Sequence, residues 1–291
     1  MNGNAPIAFL GTGTMGFPMA ANAAAAGLPV RAWNRSRERA EPLRERGVAV
    51  AASPAEAVAG ADIVVTILSD ADAVLDVIEQ ALDAIAPGTA WAQMSTIGID
   101  GIERCKALSR ERDIELVDAP VLGTKQPAEE GKLTVLAAGP SEAVDRCAPL
   151  FEAVGQQTLR LGEAGEATRL KLVLNDWIVS LVELLAETIA LAEGLGIEPA
   201  RFLETIAGGP LDLPYAQLKG QMMIKREFPA SFKLSLALKD ARLAREAAWD
   251  AGLELPVVEA VERQFERAVS EGYGDEDLAA AYRASAPKSR D

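Results

Sequence analysis

Apolar and polar positions follow two different rhythms along this chain of 291 residues. From Ile7 to about Leu161, short apolar runs alternate with stretches of helical periodicity. After an opening strand at Ile7, residues 29–33, 63–68, 90–94, 115–118, 134–138 and 158–161 read as further strands. Strands alternating with helices in this way predict an α/β fold with a doubly wound sheet. From about residue 164 the strand signals vanish; helical periodicity runs on through residue 207 and resumes at Leu218, Ser231 and Pro256. The pattern therefore divides the chain into a sheet domain, residues 1–163, and an all-helical domain, residues 164–291. The longest helical run, 168–194, is apolar nearly all the way round, which predicts burial. Lys171, Asp176, Glu183, Glu187 and Glu193 recur along it too often for a membrane span. It reads as a spine joining the domains, and its excess of apolar surface predicts a homodimer or homotetramer packed through the helical domain. Residues 285–291 read as a frayed tail.

The first strand leads into the run GTGTMGFPM, residues 11–19. Gly11 permits a tight turn, Gly13 lets the backbone approach a phosphate, and Gly16 lets the following helix pack closely on the strand. Thr12, Thr14 and Met15 complete a loop whose helix N-terminus offers N–H groups to a pyrophosphate. The context is that of a Rossmann domain: an Ala-rich helix follows, Gly27 stops it, and a second strand comes next. A dinucleotide cofactor is thereby expected. At the end of that second strand, an acidic residue would select NAD through the ribose 2′-OH, but this chain has Asn34-Arg35-Ser36-Arg37. Neutral hydrogen-bonding groups flanked by guanidiniums suit a 2′-phosphate, so the expected cofactor is NADP(H). The competing reading of these residues is a solvated, Arg-rich helix start.

Composition narrows the chemistry. The formal net charge is −14, which disfavours nucleic acid and anionic membranes as partners. Nothing in MNGNAPIAFL reads as a signal peptide, so the cytoplasm is the expected location. Cys105 and Cys147 have no metal-ligand spacing and fit buried, reduced thiols. Histidine is absent, so a zinc-dependent or histidine-dependent dehydrogenase is not expected, no metal is called for, and a proton must come from Lys, Tyr, Asp or Glu.

Lys171 and Asn175 lie one helical turn apart on the long helix and face the same way. Together they provide a proton donor and an orienting amide, and desolvation there favours the neutral form of a lysine. Spacing alone fits a surface lysine lying along its helix at least as well.

Four stretches taken together change that balance: GTGTMGFPM (11–19), DAPVLGTKQPAEEGKLTVLAAG (118–139), GEAGEATRLKLVLN (162–175) and FKLSLALKDARLA (232–244). Their order and spacing resemble the β-hydroxyacid dehydrogenase family over nearly the whole chain. Lys125, Pro127, Ala128, Glu129, Gly131 and Leu133 resemble the loop of its glyoxylate/succinic semialdehyde reductase branch. The resemblance implies that Lys171 is the catalytic lysine, donating a proton to the substrate oxygen as hydride arrives from the nicotinamide, with Asn175 holding that oxygen. It implies that Leu68, Ser69 and Thr96 serve the nicotinamide side of the cofactor. It also implies that Lys239, of the pair Lys239-Asp240, reaches the cofactor.

One departure concerns the substrate. Where the family has a serine that binds the substrate carboxylate, this chain has Leu122, followed by Gly123 and Thr124. Leu122 cannot donate a hydrogen bond, while Thr124 offers a hydroxyl two residues on. The expected activity is NADPH-dependent reduction of a small aldehyde of the semialdehyde type. Two alternatives stand beside it: a reductase of bulkier apolar aldehydes or imines, and a non-catalytic NADP-binding oligomerisation module, a form in which the family also occurs. Trp177 and Tyr215 read either as pocket lining or as core.

Overall fold

In the computed structural model, residues 5–286 are described. Six short strands form one parallel sheet: β1 (Ile7–Leu10), β2 (Val30–Trp33), β3 (Ala49–Val50), β4 (Ile63–Thr66), β5 (Ala90–Gln93) and β6 (Glu115–Asp118). Their order is β3-β2-β1-β4-β5-β6, and each residue of β1 pairs with β2 on one side and β4 on the other, Leu10 with Trp33 and Thr66. The chain thus reverses its direction of travel across the sheet between β1 and β4, which is where open α/β sheets bind ligands, at the carboxyl ends of the strands.

Burial shows why the central strands β1 and β4 are apolar up to Thr66. Ile7 and Phe9 belong to one core cluster, and Ala8 and Leu10 to another. Ile63 and Val65 against Val64, and Ala92 against Trp91, divide the same way. Successive side chains of a strand point to opposite faces, so a sheet covered on both sides needs apolar residues at every position. Helices α1 (Gly16–Ala25), α2 (Pro54–Val58), α3 (Ala71–Glu79) and α4 (Gly98–Glu111) connect the strands. The starts of α2 and α3 follow from capping chemistry. The Ser53 hydroxyl accepts from the Glu56 N–H at 3.1 Å, and the Asp70 carboxylate from the Ala73 N–H at 2.8 Å. Cys105 and Cys147 are both fully buried, and burial pushes their thiols up to about 12.

One expectation is corrected here. The strands at 134–138 and 158–161 do not extend the doubly wound sheet. With β7 (Val121–Leu122), they form a separate three-stranded sheet as β8 (Leu133–Ala137) and β9 (Gly155–Arg160). Only Ala119 and Pro120 separate β6 from β7, too few for the crossover that a further parallel strand requires. The chain turns back through the short helix α5 (Lys125–Glu129), and β7 runs antiparallel to β8. After α6 (Ser141–Val154), β9 pairs parallel with β8.

The first compact unit ends at Lys171 and the second begins at Leu172, so the boundary of compactness falls inside α7 (Glu166–Gly194), a helix of 29 residues. The second unit is helical: most of α7, then α8 (Pro199–Ile206), α9 (Pro214–Lys225), α10 (Leu234–Asp250), α11 (Pro256–Ala268) and α12 (Tyr282–Ser285). The uninterrupted pattern expected through residue 207 is broken by Gly194 and by Gly196 at φ +70°, a conformation open to glycine at little cost. Val179, Val182, Leu185, Ala186 and Ile189 of α7 pack with Leu203, Met223, Leu238, Val261 and Phe265. A fully buried ion pair sits in this unit: the Asp277 carboxylate accepts from Lys219 Nζ at 2.6 Å, and from the backbone and hydroxyl of Ser231 and the backbone N–H groups of Phe232 and Ala279.

Burial of α7 all round is not what the single chain shows. Val173, Trp177, Leu184 and Leu191, 60% exposed or more, form an apolar stripe along one side. Trp177 is therefore not a core residue of the single chain, whereas Tyr215 packs against the helical core with the Lys219 ammonium 5.3 Å from its ring. No helix among the described residues is long and apolar enough to cross a membrane. Of the expected tail, Ser285 ends α12 and donates to the Glu183 carboxylate; residues 287–291 lie outside the described residues.

Candidate functional site

At the carboxyl end of β1 the glycines are required by contact. Gly11 has φ +110°, and a Cβ there would lie 2.4 Å from the Ile67 carbonyl oxygen; one on Gly16 would lie 2.2 Å from that of Gly11. Gly13 differs, because a Cβ there would meet nothing within 4 Å. Its openness serves whatever comes to the loop from outside. Thr12 is buried, yet its hydroxyl has no partner among the described residues. No side chain caps α1; the Phe17 N–H goes to the Gly13 carbonyl and Pro18 carries none, so an anion here would meet the N–H of Gly16 and those of the loop before it. An orphaned hydroxyl, an open glycine and an uncapped helix suit the pyrophosphate of a dinucleotide.

The end of β2 is tied to this loop. Asn34 Oδ1 accepts from the Thr12 N–H at 3.1 Å, and Asn34 Nδ2 donates to the Ser36 carbonyl at 3.0 Å. Asn34 therefore holds the two loops together with both ends of its amide. Arg37 pairs with Glu41 at 3.2 Å. Arg35 is exposed and forms no ion pair among the described residues, so its guanidinium is available to an anionic ligand.

A buried polar network sets the ends of β4 and β5. Trp91 Nε1 donates to the Thr66 hydroxyl at 2.9 Å, and Gln93 binds both the N–H and the carbonyl of Ser95. The Ser95 hydroxyl accepts from the Leu68 N–H at 2.8 Å and donates to the Thr66 carbonyl. Leu68 and the half-buried Thr96 are thereby fixed on neighbouring strand ends, while the exposed Ser69 donates to the Asp70 carboxylate.

Beyond β6, Val121 faces the core while Leu122, next along β7, belongs to none of the core clusters and is half-buried. Gly123 has φ +134°, and a Cβ there would lie 2.6 Å from Leu133 Cδ2. The Thr124 hydroxyl does not cap α5. Asn22 of α1 donates to the Ala128 carbonyl at 2.8 Å and so closes this loop against the cofactor-loop helix.

Lys171 and Asn175 follow one another by a turn on α7, 9% and 1% exposed. The surface reading of Lys171 is excluded by that burial. Asn175 Nδ2 donates to Asp240 Oδ2 at 2.7 Å, and Lys239 Nζ lies 2.7 Å from Asp240 Oδ1. Asp240, noticed in the sequence only as half of a charge pair, is the residue that orients Asn175. Asp118 was also missed. It is fully buried and accepts from the Gly165 N–H, the Thr168 N–H and the Thr168 hydroxyl at 2.9, 2.8 and 2.7 Å. Burial pushes its carboxyl up, and the three donors draw it back towards ionisation.

Residues 6–162 match the family described as the NAD binding domain of 6-phosphogluconate dehydrogenase, and residues 165–285 that described as NAD-binding of NADP-dependent 3-hydroxyisobutyrate dehydrogenase. Glyoxylate/succinic semialdehyde reductase 2, a chloroplastic protein of Arabidopsis thaliana, is 33% identical over 99% of this chain and 82% of its own length. An uncharacterized oxidoreductase of Bacillus subtilis, YfjR, is 36% identical over 94% of this chain and 97% of its own. A solved 3-hydroxyisobutyrate dehydrogenase of Mycobacterium tuberculosis, with L-serine, aligns with a TM-score of 0.86 at 28% identity, covering 96% of this chain and 98% of that one.

Proposed function

Because the chain belongs to the β-hydroxyacid dehydrogenase family, and is thus an oxidoreductase built for a nicotinamide dinucleotide, we propose that it reduces a small aldehyde with NADPH and that Lys171 is the proton donor. The observation that carries this reading is the burial of Lys171 one turn ahead of an Asn175 held in place by Asp240. When bound, the cofactor supplies hydride to the carbonyl carbon. Lys171 Nζ, sheltered from bulk water, gives its proton to the carbonyl oxygen as charge develops there. Asn175 keeps an amide hydrogen for the same oxygen while the other is engaged by Asp240. Gly11, Thr12, Gly13, Thr14, Met15 and Gly16 hold the pyrophosphate, Arg35 and Ser36 the 2′-phosphate, and Leu68, Ser69 and Thr96 the nicotinamide end. Lys239 serves the cofactor as well.

Leu122, Gly123 and Thr124 select the substrate. The outward-facing Leu122 supports an aldehyde with an apolar segment beside any carboxylate. A homodimer or homotetramer belongs to the same reading, supported by the bare stripe on α7. The test is NADPH oxidation against glyoxylate, succinic semialdehyde, bulky apolar aldehydes and cyclic imines, repeated with NADH. Turnover of an aldehyde with NADPH preferred is the expected result. Turnover of imines alone, or higher catalytic efficiency with NADH, contradicts the proposal.

A further inference from the structure

Catalysis by Lys171 depends on where α7 begins. The helix opens at Glu166, and its first N–H groups need acceptors from outside the helix. Glu166 turns its own carboxylate back to the N–H groups of Gly162 and Glu163, at 3.3 and 3.2 Å. The Glu166 N–H goes to the Glu163 carbonyl at 3.0 Å, and the side chain that accepts from the helix start itself is Asp118, far away in sequence. Oδ2 takes the N–H groups of Gly165 and Thr168, and Oδ1 takes the Thr168 hydroxyl. The backbone of Asp118 is fixed as well: its N–H and carbonyl exchange hydrogen bonds with Ala138, both at 2.9 Å, and the next N–H, of Ala119, donates to Gln93 at 2.8 Å. The carboxylate thus projects from a frame set by β5 and by the end of β8, the strand that also pairs with the Leu122 strand. Thr168 and Lys171 are three residues apart and lie on one face of the helix. Two bonds to Thr168 and one to Gly165 therefore set both the height and the rotation of the first turn.

We infer that Asp118 and Thr168 form a clamp that positions Lys171, so that the strand end carrying Asp118 dictates where the proton is delivered. The inference rests on the reading of Lys171 as proton donor. Asp118 and Thr168 are positioning residues, because their bonds are spent on the helix start.

The variants are Thr168→Val, which keeps shape and backbone N–H but loses the hydroxyl, Thr168→Ser, which restores it, and Asp118→Ala, which removes both carboxylate oxygens from the helix start. Lys171→Met is carried as the reference. Turnover, NADPH affinity, the solvent deuterium isotope effect and the folded fraction are measured for each below its melting temperature. Thr168→Val is expected to lose about 10- to 100-fold in kcat, the cost of a small misplacement, with NADPH affinity unchanged and a larger solvent isotope effect. Thr168→Ser is expected to recover most of the loss, and Asp118→Ala to fall at least as far as Thr168→Val. Wild-type turnover in Thr168→Val beside an inactive Lys171→Met overturns the clamp and leaves the lysine reading standing. A loss that merely tracks the folded fraction, with no change in isotope effect, also overturns it. Wild-type turnover in Lys171→Met overturns both.

Discussion

Arg35 and Arg37 look equivalent in the sequence, both placed to meet a 2′-phosphate beyond β2. Arg37 is engaged by Glu41, which Arg44 also pairs with at 2.7 Å, whereas Arg35 has no such competitor. Arg35→Ala should therefore weaken NADPH binding by about 1.5–3 kcal/mol, the range of a hydrogen bond to a charged group, and leave NADH nearly unaffected. Titration of both cofactors checks this; equal losses would assign the arginine to the fold. Leu122 is the second residue whose environment decides its meaning. Val121 fills the core, so the alternation of β7 turns Leu122 the other way. Leu122→Ser should then improve the catalytic efficiency for small carboxylated aldehydes by roughly 10- to 100-fold, the kinetic counterpart of one charge-assisted bond, and weaken that for apolar ones. An unchanged substrate profile would hand the carboxylate to Thr124 or to backbone amides. The residue types of both sites were legible from the sequence, but their partners were not. Asn34 reads as a ligand group, while its amide is engaged at both ends with Thr12 and Ser36. The positioning roles of Asp118 and Asp240 were not legible because Thr168 and Asn175, which they hold, lie 50 and 65 residues away.

At the scale of elements, α7 has the most to explain. Its apolar residues run all round the helix, yet the single chain covers only the side that meets α8 to α12. The stripe of Val173, Trp177, Leu184 and Leu191 remains in contact with water, and burying such side chains is worth about 1.5–3 kcal/mol each. A second copy presenting the same stripe about a two-fold axis would cover both at once. If a second copy covers the stripe, Trp177→Glu is expected to halve the mass or more in light scattering after size exclusion, with the helical content of each chain preserved. An unchanged mass would show that the stripe is not the contact. The periodicity of α7 was readable because 29 residues give many turns of evidence. By contrast, β3 and β7 have two residues each, too few to display any period, and both went unseen. The second sheet followed from that gap, since β7 is the strand whose reversal takes β8 and β9 out of the main sheet.

Taken whole, the chain is two compact units, each with its own apolar core. The six-stranded sheet and its glycine loop supply a cradle for a nicotinamide dinucleotide. That explains why the first half was so readable: backbone contacts leave no room for a side chain at Gly11 and Gly16, and steric necessity is written directly in residue type. The helical unit exposes its logic less, because a helix records which side is apolar and not what it packs on. The buried Lys219–Asp277 pair is the clearest case, two charges 58 residues apart that no helical period links. Proton delivery from Lys171 Nζ is tested by Lys171→Met, which keeps an apolar stem in the buried position and removes the proton. NADPH affinity by fluorescence titration and aldehyde turnover should be measured on the same preparation. Cofactor affinity is expected to stay unchanged while turnover falls by roughly 10²–10⁴, the contribution of a positioned proton donor; turnover close to that of the unmodified protein would rule Lys171 out as the donor.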